Sequence, residues 1–215
     1  MTVARTLATF LTQVTYQELP PQTVEHAAML IASTVASAAC GTGIESAAII
    51  RDLAIERGGT PQASIWFAPA SQVKLPVADA AQVNAVMSDA AASDDSDLRN
   101  IVHAGTPLVA TSLATAERIG ASGQDVLAAI VLGYEAAGRI GDAVTPGFRA
   151  QGFHGCLVAI FAGAVATARV LGVDAAQMAQ AIALSATSIG GLMAAANTSV
   201  AREYHAGLAA MLGVQ

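Results

Sequence analysis

Four histidines are the scarce chemical resource of this chain. His26 sits beside Glu25 in a helical pattern and reads as a surface residue. The other three share a context: His103-Ala-Gly, His154-Gly and His205-Ala-Gly. Each lies at or beside a junction of loop and helix, where small neighbours leave room around the imidazole. A histidine titrates near neutral pH and can accept or return a proton during a reaction. Taken singly, each is more often structural. Three such positions in one alanine-rich chain favour a catalytic role for at least one.

Carboxylates and one arginine complete the candidate chemistry. Asp94, Asp95 and Asp97 lie in the polar loop ahead of His103. They read either as a solvated acidic loop or as groups that orient an imidazole and share its proton. A hard cation on Asp-x-Asp and a histidine is the weaker reading, because EF-hand spacing, HExxH and paired Cys/His spacing are all missing. Arg202 follows the uncharged run 175–201 and stands three residues before His205. It reads as a partner of the adjacent Glu203, or as a fork for a substrate carboxylate. Cys156 lies too near His154 in sequence to face it on a helix, which disfavours a thiolate pair. Cys40 and Cys156 read as free, buried thiols. There is no GxSxG elbow, and Gly41-Thr-Gly43 lacks the strand and lysine of a phosphate loop.

The elements that must hold these groups read as helices throughout. The 3.6-residue pattern predicts helices over 2–12, 22–39, 44–57 and 78–92, with a loop and one short strand near 64–67 between the last two. Residues 93–106 are the most polar stretch, and Pro107 suits the first position of a helix running to Ile119. Ser122-Gly-Gln-Asp125 and Asp174-Ala-Ala-Gln177 are capping boxes that open helices ending near Ala143 and Ser188. A Pro/Gly loop spans 145–152, a helix spans 154–170, Gly190-Gly191 breaks the chain again, and a final helix begins near His205. The expected fold class is all-α, with short connections and no solenoid repeat.

Composition narrows the function classes. With 54% hydrophobic and 12% charged residues among 215, the chain is neither disordered nor a disulfide framework. A net charge of -6, with Lys74 the only lysine, argues against nucleic acid. The mean hydropathy of +0.54 raises the membrane question. The charge-free runs 150–168 and 175–201 are interrupted by polar residues and glycines, so neither is expected to span a bilayer. No secretory signal is apparent at the N-terminus, and a cytoplasmic location is expected.

Read in order, the pieces resemble a known family. They are Asn84 leading into the Asp-rich loop, His103-Ala-Gly with a following Pro helix, and Ala121-Ser-Gly-Gln-Asp125. Then come Gly133-Tyr-Glu135 with Arg139, Gly152-Phe-His154, Leu171-Gly-Val-Asp174 and His205-Ala-Gly-Leu-Ala-Ala210. This set resembles the MmgE/PrpD family of 2-methylcitrate dehydratases, cis-aconitate decarboxylases and iminodisuccinate epimerases. The resemblance covers essentially the whole chain, so residues 1–215 are expected to form one MmgE/PrpD-like helical domain, with the family's α/β lid outside this chain. It implies a homodimer, no required cofactor, and small carboxylic acids as substrates in a site between helical domain and lid.

The resemblance also implies roles. Family histidines fall on His103 and His154, and the family lysine falls on Arg202. In the family's Asp-aromatic-Asp-Asp-Thr motif, an ungapped count from Asn84 puts Ala92 at the first Asp, with Asp94, Asp95 and Ser96 matching later positions; a shifted register puts Asp94 first. The expected catalytic set is therefore His103, His154 and Asp94, with Arg202, Ser96 and Asp95 binding substrate. Two functions stay open. One is a lyase or epimerase (dehydration, decarboxylation or epimerisation) completed by a lid on another polypeptide. The other is a non-catalytic helical subunit or carboxylate-binding module, which Ala92 and the missing lid favour.

Overall fold

Alanine is the commonest residue of the buried core, and small side chains let helix axes approach closely. A computed structural model describes residues 2–68, 73–144 and 147–215. The first stretch folds as α1 (Val3–Gln13), α2 (Pro21–Gly41) and α3 (Glu45–Arg57). A two-residue ribbon follows, β1 (Ala63–Ser64) against β2 (Lys74–Leu75), antiparallel with Ala63 opposite Leu75. Then come α4 (Val77–Ala90), α5 (Gly105–Ile119), α6 (Gly123–Val144) and the single turn α7 (Gly147–Ala150). The chain closes with α8 (Cys156–Val170), α9 (Ala175–Thr187), α10 (Met193–Thr198) and α11 (Ala201–Val214). The fold is all-α.

Two helices form the centre. From Ala80 to Ala90 every residue of α4 is buried, and α8 is buried from Val158 to Ala168. A helix buried on every side belongs to an interior. Helix α8 packs against α5, α6, α9 and α11, while α4 packs against α2, α3, α5 and α11. Leu108, Ile130, Leu132, Val165 and Met178 fill the first core; Val83, Val86 and Met87 fill the second. Helices α5 and α11 join both.

Both predicted capping boxes form. Ser122 and Asp125 exchange hydrogen bonds of 3.0 and 3.2 Å between side chain and backbone, and Asp174 and Gln177 do the same at 2.8 and 3.0 Å. Four expectations need correction. Pro107 is the third residue of α5, because the Ala104 carbonyl already accepts the Leu108 N–H at 3.1 Å. The strand near 64–67 shrinks to Ala63–Ser64, with a partner strand the pattern did not show. Helix α10 was not anticipated, and α11 begins at Ala201 rather than near His205, with the Ser199 hydroxyl accepting from the Ala201 N–H at 3.2 Å. Cys40 is exposed on the outer face of α2, although Cys156 is buried and both are free.

The expected loop 145–152 holds α7; Thr145 and Pro146 lie outside the described residues. By length and composition α2 alone among the described helices could cross a membrane, with a mean hydropathy of 1.2 over its best window. Here it lies along α4 through Thr34, Ser37 and Ala38, with Glu25 and His26 on its outer side.

Candidate active site

The loop between α4 and α5 is shaped by its own side chains. The Asp97 N–H donates to the Val102 carbonyl at 2.9 Å, and the Asp97 carboxylate takes the Arg99 guanidinium at 2.7 Å. Asn100 is buried against α6, donating to Asp142 Oδ1 at 3.1 Å. Tyr134, also on α6, donates its hydroxyl to Asp95. These ties leave Asp94 and His103 facing each other across the loop.

His103 Nδ1 stands 2.9 Å from Asp94 Oδ2 and 3.0 Å from the Asp95 carbonyl. Both neighbours are acceptors, so Nδ1 carries the proton and Nε2 is the open nitrogen. The hydrogen bond with Asp94 raises the His103 pKa above the ordinary histidine value, against the effect of burial. The Asp94 carboxylate itself is nearly enclosed, with 6% of its side chain exposed.

His154 reaches the same place from the start of α8. Its backbone N–H donates to the Gly191 carbonyl at 3.1 Å. The next residue must be glycine, because a Cβ at Gly155 would run into the Ile101 carbonyl. That close approach seats the two imidazoles parallel, 3° between planes and 6.4 Å between centroids. His154 Nδ1 accepts the Cys156 N–H at 3.4 Å, which puts its ring proton on Nε2. Burial, then the neighbouring His205, His103, Arg202 and Arg149, push the His154 pKa down to about 4. It is neutral at physiological pH.

His205 joins from α11, 5.5 Å from the His154 ring. Gly191, at φ +142°, packs on it: a Cβ there would lie 3.3 Å from His205 Nδ1. Burial lowers the His205 pKa. Behind the imidazoles, Asp89 on α4 is buried, and burial with the nearby Asp94 pushes its pKa up to about 7 despite Arg202.

Arg202 is turned away from the open side of the site. Its Nη2 donates to the Asp89 carbonyl at 2.8 Å, at the C-terminal end of α4, and its Nε lies 3.4 Å from the Asp89 carboxylate. A contact of 3.5 Å to Glu203 is also present. Its charge still reaches His154.

The open side is a cleft of about 390 Å³ whose walls include His103, His154, Phe148, Arg149, Phe153 and Met193. Ser96 does not reach it. Ser96 and Asp95 line a second cavity of about 810 Å³ between α2 and α6, where the Asp95 carboxylate meets Tyr134. Burial and Asp94 push the Asp95 pKa up to about 6. Of the expected site residues, His103, His154 and Asp94 thus converge, Arg202 stands behind them, and Asp95 and Ser96 face elsewhere. His205 was one of the three histidines the sequence singled out but was not placed in the expected set. Tyr134 stood in the Gly133-Tyr-Glu135 piece of the resemblance and holds Asp95 in the second cavity, and Asp89 carried no sequence signal.

One other reading ends here. The Cys156 thiol is buried and its pKa is pushed up, so it is no thiolate partner for His154. Among the described residues, no three His, Cys, Asp or Glu side chains gather to hold a metal ion.

No curated protein matches the sequence. Residues 5–215, however, match the family described as MmgE/PrpD N-terminal domain, the same stretch whose helices build this cleft. By that match over nearly its whole length, the chain belongs to the MmgE/PrpD family.

Proposed function

We propose that the cleft performs acid–base chemistry on a small carboxylic acid, of the lyase or isomerase kind that the family membership suggests. One observation carries this reading: two parallel imidazoles with opposite proton affinities share one cleft wall. Groups whose environments push their pKa values apart are suited to base and acid roles. His103 Nε2 takes the proton from the carbon next to the carboxylate, and Asp94 stabilises the imidazolium that forms. The C–H electron pair moves into the carboxylate as an enediolate. His154, neutral with a proton on Nε2, donates a hydrogen bond to the developing charge or to a departing hydroxyl. In dehydration the His103 imidazolium gives its proton to the departing hydroxyl, which leaves as water as the double bond forms. In epimerisation a proton from solvent returns to the opposite face of the carbon. In decarboxylation no α-proton is taken: carbon dioxide leaves as the C–C bond breaks, and the electron pair of that bond takes a proton from the His103 imidazolium.

Arg202 contributes through its field, held at α4 beside Asp89. No cofactor is required in this scheme. The cleft opens to solvent at His103, whose side chain is 30% exposed. Excluding water strengthens every charge in such a site. We therefore assign the chain a lid partner, supplied by a further domain or polypeptide; a second copy of itself as a homodimer is what the family resemblance implies.

The test is proton exchange. Small di- and tricarboxylic acids are incubated with the protein in D2O, with and without a lid polypeptide, and deuterium at the α-carbon is read by NMR. Exchange catalysed by the wild type and abolished in His103→Ala and His154→Ala, with helical circular dichroism intact, is the expected result. Full exchange in either variant removes that residue from the mechanism. A second reading, a carboxylate-binding module without chemistry, is favoured by Ala92, exposed at φ +52° where the ungapped motif puts an aspartate. Binding without exchange under every condition would select it.

A further inference from the structure

The cleft carries cationic side chains in an acidic protein. The chain carries a net charge of -6, yet none of the described residues lining the cleft is acidic. Two arginines line it. Arg99 is committed: Nη2 pairs with Asp97 at 2.7 Å and Nη1 with Asp142 at 3.3 Å. Arg202, further back, is spent on the C-terminus of α4. Arg149 is different. It is exposed, and its guanidinium makes no hydrogen bond or ion pair with the described residues.

The turn that carries Arg149 is built to hold it at the rim. Gly152 N–H donates to the Arg149 carbonyl at 3.1 Å, and Phe153 N–H donates to the Phe148 carbonyl at 3.0 Å. The Phe148 and Phe153 rings meet edge to face at 5.9 Å. The Gly152 carbonyl then accepts the Met193 N–H at 2.8 Å, which ties the turn to α10. The floor between Arg149 and the imidazoles is apolar, with Val144, Phe148, Phe153, Val158 and Met193. A ligand for this shape has an anionic group at Arg149, a hydrocarbon stretch over the floor, and a second carboxylate beside the reacting carbon at His103 and His154. Arginine presents a planar fork suited to such a carboxylate.

We propose that Arg149 is the specificity-determining residue of the cleft, binding the carboxylate remote from the reacting carbon and so selecting dicarboxylic over monocarboxylic acids. This rests on the reading of the cleft as the reaction site. Remote binding energy of this kind orients a substrate at the reacting atoms.

The test titrates the full chain, labelled at histidine, with succinate, citrate and succinamate (the monoamide of succinate) and follows the ring signals of His103 and His154. In the wild type, succinate or citrate moves those signals, and succinamate binds more weakly. Arg149→Met raises the Kd for the dicarboxylate about tenfold to a hundredfold and removes the preference over succinamate, as expected for loss of one charge-assisted contact. Arg118→Met, an exposed control on α5, leaves both unchanged. If Arg149→Met binds with wild-type affinity and still moves both imidazole signals, the assignment of Arg149 is overturned and the reaction site stands. If no acid moves the imidazole signals of the wild type, the cleft reading itself falls and this assignment with it.

Discussion

His103 and His154 differ because their Nδ1 atoms meet opposite partners: a carboxylate for His103 and a backbone N–H for His154. The ring NMR signals should therefore separate on titration. His154 stays neutral down to about pH 4, while His103 gains its proton above the ordinary histidine value. Asp94→Asn replaces the charged acceptor that raises His103 with a neutral one, so its midpoint moves down. As the base must be unprotonated, the rising limb of the rate against pH moves to lower pH in the same variant, and turnover falls about a hundredfold or more. An unmoved His103 midpoint would take Asp94 out of this dyad. Glycine and alanine beside each histidine were visible in the sequence, and so was an acidic loop nearby. What each Nδ1 faces was not, because the Cys156 N–H and the Asp95 carbonyl become partners only through backbone folding.

Helix ends decide where the charged side chains go. Ser122 with Asp125 and Asp174 with Gln177 signal their helices locally, within four residues, so both starts were legible. The start of α11 was not, since it depends on α10 and on the bridge between Phe153 and Leu192, residues far apart in sequence. That shift puts Arg202 on the same helical turn as His205 and aims it at the last carbonyls of α4. A guanidinium there adds a donor at the last carbonyls of α4, where the Ala92 N–H also reaches the Asp89 carbonyl at 2.9 Å, and it meets the negative end of the helix dipole. Arg202→Met should destabilise the chain by about 1–3 kcal/mol, read by urea unfolding, because hydrogen bonds to a charged group are lost and the Asp89 carboxylate loses its partner. Arg202→Lys keeps the charge but not the fork and should recover only part. Gly155→Ala belongs to the same scale: its methyl meets the Ile101 carbonyl, so the parallel imidazoles are pushed apart and α-proton exchange falls even where folding survives. Wild-type exchange in Gly155→Ala would mean that the 6.4 Å spacing does not matter.

At the scale of the whole molecule, the cleft and the neighbouring cavity at Tyr134 together hold two kinds of displaced proton. Asp89 and Asp95 have pKa values raised to about 7 and about 6, mainly by burial, so the fold binds these protons more tightly than the unfolded chain does. Their contribution to stability is complete below the ordinary aspartate range and is lost as pH climbs through 6 and 7. His154 runs the other way. Its folded pKa of about 4 lies below the unfolded value, so its contribution is complete above about pH 6.5 and is lost as pH falls towards 4. The two slopes oppose each other between pH 4 and 7 and hide one another in the wild type, but single variants separate them. Asp89→Asn keeps the shape and removes the titration, so its melting temperature should gain on the wild type as pH rises from 5 to 8. For a chain of this length each kcal/mol corresponds to about 2–4 °C. His154→Gln should gain on the wild type in the opposite direction, as pH falls from 7 to 4.5. The crossed pattern is diagnostic. If Asp89→Asn instead loses ground as pH rises, attraction to Arg202 outweighs burial at that carboxylate, and the charge behind the imidazoles is held as an ion pair.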